Sequence, residues 1–445
     1  MREVLSFFVG QCGCRLGNSF MERVFDEHGI CPNGEYVGDS DVQLEKVDVY
    51  FSERRGGRFS PRAIFADLDP MSMDEAKGTP FVASCPAESL IEGKNSTSSN
   101  FGRGHYTDGA EMTDQTLDVV RKQVEECESL QGFQLCHAVA GGTGSGFGTL
   151  MLQKLREEYP DAMLCTYSVL PSPLVSDSVV EPYNATLALH HIIDEVDMTF
   201  CFDNEALVNM CVHRMQVPSP TYADMNHFLS VAMSGVTCTM RFPGRLNTDL
   251  LKLATNLIPY PRLHFLTCSA SPLFSRGSSA YHMYTVPELC VSLFDGKHMM
   301  HEADPRTGRC LAASVVFRGR SNHQHRAEDH LQQIINNRRE NFCEWIPDSV
   351  KSTTCDIPIK GLRLSAAMVC NNTNISSVFR RINDQFSSMY ARKAFLHWFT
   401  AVGMDEMEFT VAGENMKTVI SEYQQLEETW AGGSAVGNPN SIFED

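Results

Sequence analysis

Five of the eight residues from Gly141 to Gly148 are glycine. Glycines let backbone N–H groups approach phosphate oxygens closely, and a helix that follows adds the favourable dipole of its N-terminus. Within Ala140-Gly141-Gly142-Thr143-Gly144-Ser145-Gly146, the hydroxyls of Thr143 and Ser145 add two donors. This is chemistry for holding a polyphosphate. It is not a P-loop, because no Lys-Ser/Thr pair follows, and its glycines lack the dinucleotide-binding spacing after a first strand. A flexible glycine turn is the plainer reading, but it accounts poorly for such density between a strand and a helix. Gly10-Gln11-Cys12-Gly13, with Gly17, makes a second glycine-rich junction. Alone it is a weak signal. Beside the first it suggests two loops gripping one polyphosphate, with Gln11, Cys12, Gly142, Thr143, Gly144 and Ser145 as contacts.

Asp69 follows the second apolar run and could hold Mg²⁺ through water, as hard cations prefer carboxylate and water ligands. A helix-capping Asp before Pro70 explains it equally well. Tyr222 and Asn226 are four apart on a helical pattern, so they share a face. A tyrosine can stack on a base, and an asparagine amide can pair with a purine edge. Asn204 offers a second amide, while Asp177 and Glu181 could accept bonds from ribose hydroxyls. Each alone is more often a surface or capping residue; the set persuades because each follows a strand or opens the central helix. No G-x-S-x-G or H-E-x-x-H occurs, and no His stands beside a nucleophile. His190-His191 reads as an ordinary helix pair. With no general base at the triphosphate, hydrolysis needs a group from elsewhere.

Alternating elements must position these residues. Strands are predicted over residues 3–9, 63–68, 132–140, 164–170 and 198–202. Helices are predicted over 11–27, 113–129 (with Leu117, Val120, Val124 and Cys127 as one stripe), 147–159 and 184–196. Residues 28–62 read as loop-rich, and 84–105 as a polar loop able to close over a ligand. This alternation predicts an α/β, doubly wound parallel sheet over 1–205, with ligand residues at the carboxyl ends of its strands. A long helix over 221–240, capped by Thr221 with Asp224 three residues on, leads into a second α/β domain. The expected domains are 1–205, then 206–380 with the central helix, a helical region over 381–430, and a disordered tail over 431–445.

The bulk numbers exclude several classes. A formal net charge of -18 would repel a nucleic-acid backbone. Sixteen cysteines lie scattered without metal-ligand spacing, so they read as free thiols of a reducing compartment. Asn95-Ser96-Thr97 and Asn184-Ala185-Thr186 read as chance glycosylation patterns. No targeting segment or membrane span is expected, so the location read from the sequence is the cytoplasm.

The sequence resembles tubulin, of the β type, over nearly all of residues 1–428. Long blocks carry the resemblance: 114–135 with Leu130-Gln131-Gly132-Phe133-Gln134, then 141–146, 179–186, 241–243, 261–265, 316–320, 355–358 and 393–398. Lys252 stands where α-tubulins carry a catalytic Glu, the segment 355–365 lacks their insertion, and Met1-Arg2-Glu3-Val4 resembles the β start. The resemblance implies the tubulin/FtsZ fold: a GTP-binding domain, a central helix, a second α/β domain and C-terminal helices. It implies GTP/GDP at an exchangeable site, with Mg²⁺ and with Asn100 of the 97–100 loop among the contacts. It implies α-tubulin as partner in the heterodimer and along the protofilament, with Asn247 and Lys252 over the partner's GTP. Neighbouring tubulins would join laterally through residues 272–284, and microtubule-associated proteins and motors would bind the polymer. At most the chain would be a weak GTPase, completed by the next α-tubulin on assembly in cytoplasmic microtubules.

Departures from the β pattern gather at the nucleotide. Ala140 replaces a glycine, Ala138 a serine, Arg15 a Gln and Asp69 a Glu. The loop Thr97-Ser98-Ser99-Asn100 stands where Ala-Gly-Asn-Asn is usual, which removes a glycine from backbone that needs φ > 0. Residues 431–445 carry only Glu444 and Asp445 as charges, implying weaker tail-dependent binding. Three other readings remain: a GTP-binding relative that does not switch and caps or regulates microtubules, a γ-type nucleator, and a soluble GTP- or NAD-dependent enzyme.

Overall fold

β1 (Glu3–Val9) is buried along its whole length because its two faces meet two different cores. Val4 and Phe8 pack into one, and Leu5, Phe7 and Val9 into the other. Such strands read as continuous apolar runs and belong to parallel sheets covered on both sides. The computed structural model describes residues 2–431, except 55, 174, 177, 216, 218, 245–248, 274–283, 304–307, 320–326, 344, 347 and 360. Of residues 214, 215, 340 and 429–431 it describes the backbone alone.

The first half runs α1 (Gly10–His28), β2 (Phe51–Arg54), β3 (Arg58–Pro61), β4 (Ala63–Asp67), α2 (Pro70–Lys77), β5 (Leu90–Glu92), α3 (Phe101–Tyr106), α4 (Asp108–Glu125) and β6 (Leu130–Ala138). It continues with α5 (Gly148–Glu158), β7 (Met163–Leu170), α6 (Glu181–Glu195), β8 (Met198–Asp203), α7 (Asn204–Met215) and the central α8 (Tyr222–Arg241). The second half holds α9 (Leu250–Leu257), β9 (Phe265–Ser271), α10 (Val286–Leu293), β10 (Cys310–Arg318), α11 (Ala327–Asn337), β11 (Val350–Cys355) and β12 (Ser365–Asn372). It closes with α12 (Ser376–Tyr390), α13 (His397–Thr400) and α14 (Glu406–Ala431).

One sheet orders its strands β11-β10-β12-β9-β8-β7-β6-β1-β4-β5. From β9 to β5 neighbouring strands are parallel, while β12 is antiparallel to both β9 and β10. The second half therefore extends the sheet of the first. One core lies between the sheet and α1, α8 and α9; the other lies under α4, α5, α6, α12 and α14. A third core joins α10 and α11 to β10 and β12.

Three local expectations change. Residues 28–62 hold a hairpin, β2–β3, around Gly56 and Gly57 at φ 92 and 69; strands of four residues are too short to show a period of two. Residues 84–105 hold β5 and α3, so the open stretch narrows to about 93–100. α4 begins five residues earlier than predicted and ends at Glu125, which leaves Cys127 outside the helix. The central helix has the predicted capping box of Thr221 and Asp224.

α1, α8 and β10 are tied by charge as well as packing. The Glu27 carboxylate, 4% exposed, meets Arg241 at 2.6 Å and Arg318 at 3.0 Å. Burial alone would raise its pKa, but the two guanidiniums hold it well below the usual carboxylate range. Losing one partner from such a buried cluster costs about 3–5 kcal/mol. α1, α8 and β10 thus share one rigid frame.

Candidate functional site

β6 delivers the glycine run to the carboxyl edge of the sheet. There Thr143–Phe147 form a π-helical turn that feeds α5. Such turns concentrate at functional sites. Gly144 is packed so closely that a Cβ would meet the Ala138 carbonyl oxygen at 2.5 Å. Gly142 lies against the 97–100 loop, where a Cβ would meet Thr97 Oγ1 at 2.5 Å and the Asn100 nitrogen at 2.7 Å. By contrast, nothing lies within 4 Å of a Cβ at Gly141. Ala140 and Gly141 are the partly exposed members of the run, and Gly142–Ser145 are buried behind them. Ser145 spends its hydroxyl on the Gly141 carbonyl.

Gly10 supplies the left-handed backbone, φ 72, that turns β1 into α1. A Cβ there would meet the Gly144 nitrogen at 3.2 Å, so the two glycine junctions touch. Gly13 and Gly17 do a different job: they let α1 approach Cys136 and the Phe8 ring. Gln11 is exposed at the same edge and Cys12 is partly buried. Burial pushes the Cys12 thiol up to about 11, against the opposing pull of Arg15, so it stays a neutral donor. Arg15 itself pairs with Glu75 on α2 at 2.7 Å.

The 97–100 loop closes beside the glycine run. Asn100 N–H donates to the Thr97 carbonyl at 3.1 Å, and Ser98 and Ser99 between them sit at φ 50 and 56. That is a type I′ turn, which favours glycine. Thr97 and Thr143 share a hydrogen bond of 3.3 Å, and Asn100 caps α3 while its Nδ2 donates to the Trp398 carbonyl at 3.0 Å.

Two buried side chains that sequence reasoning passed over hold these loops. Asn184 Nδ2 donates to the Ser99 carbonyl at 2.7 Å and to the Ala140 carbonyl at 2.9 Å, and its Oδ1 accepts from Phe101 N–H at 3.1 Å. One asparagine on α6 therefore fastens both loops, and its burial removes it as a glycosylation site. His137 lies beneath the run, bonded to the Gly144 carbonyl at 2.7 Å and Ser168 Oγ at 2.9 Å. Burial lowers its pKa to about 4, so the ring is neutral at neutral pH. The available signal was polarity: a buried strand or helix face admits a His or Asn only when it is hydrogen-bonded.

The expected base and ribose contacts follow the neighbouring strands. Asn204 opens α7 directly after β8. Asp203 beside it accepts from Glu205 N–H at 3.0 Å and from Arg381 at 2.9 Å, which fixes that turn. Tyr222 is 48% exposed at the start of α8, and Asn226 lies buried one turn later. Glu181 opens α6 beside a cleft of about 640 Å³ lined also by Pro171, Ser172, Ser176 and Asp384. Asp177, and Asn247 of the expected partner-facing pair, lie outside the described residues, as do 274–283 of the expected lateral segment.

Asp69 is the N-cap of α2, where its Oδ1 accepts from Met71 N–H at 3.1 Å. That cap leaves its second oxygen for other work. Asp67, which the sequence reading did not single out, is 2% exposed; burial raises its pKa, and its Oδ2 has no hydrogen-bond partner. A buried acid with an orphaned oxygen two residues before Asp69 suits a cation better than Asp69 alone. Among the described residues, no group of three or more His, Cys, Asp or Glu side chains forms a protein-only metal cage.

Lys252 lies at the other pole. It is exposed on α9, whose preceding residue Asp249 pairs with Arg2, at the amino end of β1. The glycine junctions sit at the carboxyl end of that strand, and seven residues at about 3.3 Å each separate the two by about 23 Å.

Two family models match the chain. Residues 3–212 match the Tubulin/FtsZ family, GTPase domain, and residues 261–384 match the Tubulin C-terminal domain. The chain belongs to the tubulin/FtsZ family. It is a tubulin-like, GTP-binding cytoskeletal protein, and self-association with tubulin-like subunits belongs to that family. The glycine cradle, the open Gly141 and the exposed Gln11 fit a nucleoside triphosphate. No described helix is long and apolar enough to cross a membrane.

Proposed function

We propose that this tubulin-family chain is a β-type structural subunit of microtubules. It holds GTP at an exchangeable site, with the phosphates at the Gly10 and Gly141–Ser145 loops and the base near Asn204, Tyr222 and Asn226. Asp177 and Glu181 serve the ribose. Mg²⁺ is held through water by Asp69, with Asp67 behind it. The chain pairs with α-tubulin, and its hydrolysis is triggered by the next α subunit.

The observation that carries this reading is the separation of the nucleotide pole from the Lys252 pole along one strand. A surface of that kind stacks head to tail, and a heterologous contact that does not close builds a filament. Exposed apolar side chains stand at both ends: Trp398 and Phe395 beside the 97–100 loop, and Leu251 on α9. Lys252 offers no carboxylate to a neighbour's triphosphate, so a partner with a Glu there must supply it.

A second reading, a GTP-binding relative that does not switch, draws support from the 97–100 loop. Thr97, Ser99 and Asn100 are fastened by protein groups, which lessens the loop's dependence on a γ-phosphate. Co-expression with an α-type tubulin and sedimentation of polymer separates the two. The first reading expects the chain in the pellet with growing polymer. Nucleotide binding without incorporation along the polymer selects the second.

A further inference from the structure

We infer that Cys310 and Cys370 form a peroxide-sensitive thiol pair that closes into a cross-strand disulfide. The sixteen cysteines are free thiols in this structure, and nothing in the nucleotide chemistry uses these two. β10 and β12 run antiparallel, with Cys310 opposite Asn372 and Cys370 opposite Ala313. In a regular ladder such a diagonal pair stands about 7–8 Å apart. Here the register shifts between Cys310 and Ala312. A bulge of this kind re-aims a side chain, and the two sulfurs lie 2.9 Å apart within the third core.

Both cysteines are buried, but they line a small cavity of about 30 Å³ together with Phe294, Met299, Phe342 and Met368 and the partly exposed Arg338 and Asn341. That is room for a molecule of the size of water or hydrogen peroxide. A small hydroperoxide is therefore the oxidant of choice for the pair.

The chemistry balances with that single co-reactant. One thiol loses its proton, and its sulfur attacks a peroxide oxygen. The O–O bond breaks, giving a sulfenic acid and a hydroxide that takes the proton as water. The second thiol attacks the sulfenic sulfur, the S–S bond forms and a second water leaves. Two thiols are oxidised and one hydrogen peroxide is reduced to two waters.

The test treats the full-length native chain with hydrogen peroxide, removes the peroxide, unfolds the chain in denaturant with N-ethylmaleimide to block remaining thiols, and maps peptides without reduction. The Cys310–Cys370 peptide is expected to accumulate with peroxide dose, to vanish with dithiothreitol, and to be missing from Cys370→Ser. Recovery of both residues as alkylated thiols after other cysteines have oxidised would overturn the inference. So would either residue linked mainly to a different cysteine. The wild-type map decides the matter even where Cys370→Ser does not fold.

Discussion

The two ends of the parallel strands are built in opposite ways. At the carboxyl end, backbone loops converge and are fastened from below: His137 holds Gly144, Asn184 holds Ser99 and Ala140, and Gly10 touches Gly144. At the amino end, α9 presents Leu251 and Lys252 outward, anchored there by Asp249 on Arg2. One end is a preorganised cradle and the other a plain face with a charge on it. The proposed head-to-tail contact joins unlike ends of this kind, whereas a two-fold contact pairs like with like.

Breaking the cradle should produce the largest effect. Asn184→Ala removes three hydrogen bonds and leaves buried backbone groups unpaired, a loss of about 3–4 kcal/mol in denaturant unfolding. Retention of wild-type stability would show that the two loops stand without it. Acid should attack the same end. His137 is neutral in the fold with its pKa lowered to about 4, whereas the unfolded chain takes up a proton near 6.5. The unfolded state therefore binds more protons between these values, and stability falls as pH drops from 6.5 toward 4, by roughly 3 kcal/mol for this ring. His28, His105, His191 and His301 are lowered by burial too, so the contribution is read by difference. His137→Gln should start less stable at pH 7 and lose less on acidification, so that the two unfolding curves converge.

The other end is probed by charge reversal. Lys252→Glu gives the plain face a carboxylate, and copies of the chain alone should then turn over GTP about tenfold faster or more. A rate unchanged from wild type, in a variant that still self-associates, would place that face away from the neighbour's phosphates. The smallest effect is expected at the left-handed serines. Ser98→Gly relieves strain but adds chain entropy in the unfolded state, for a net gain of up to about 1 kcal/mol. A loss of stability there would mean that the serine side chain, rather than the backbone, sets the turn.

How far the sequence could be read depended on how much of the pattern was local. β1, β7 and β8 were visible because strands covered on both faces are continuous apolar runs, and α8 announced itself by Thr221 and Asp224. The hairpin β2–β3 was too short for its period to show, and α4 opens at Asp108-Gly109, five residues before the predicted start. At the site, the glycine loops were legible because close backbone approach demands glycine. The groups that hold them were not, because Asn184 and His137 act on residues 85 and 7 positions away in sequence. Asp69 shows the converse. Its type and place suited both a cap and a cation, and the structure uses one oxygen for the cap and sets the buried Asp67, whose Oδ1 accepts from Asp69 N–H, behind it.

Single-turnover cleavage of GTP, measured on the chain alone and again after mixing with an α-type tubulin, tests the central claim most directly. The isolated chain is expected to cleave almost no GTP. Cleavage is expected to appear with polymer and to be lost when the α partner's Glu, at the position of Lys252, is replaced by Ala. Equal cleavage with and without the partner would contradict it, because the catalytic group would then have to lie within this chain.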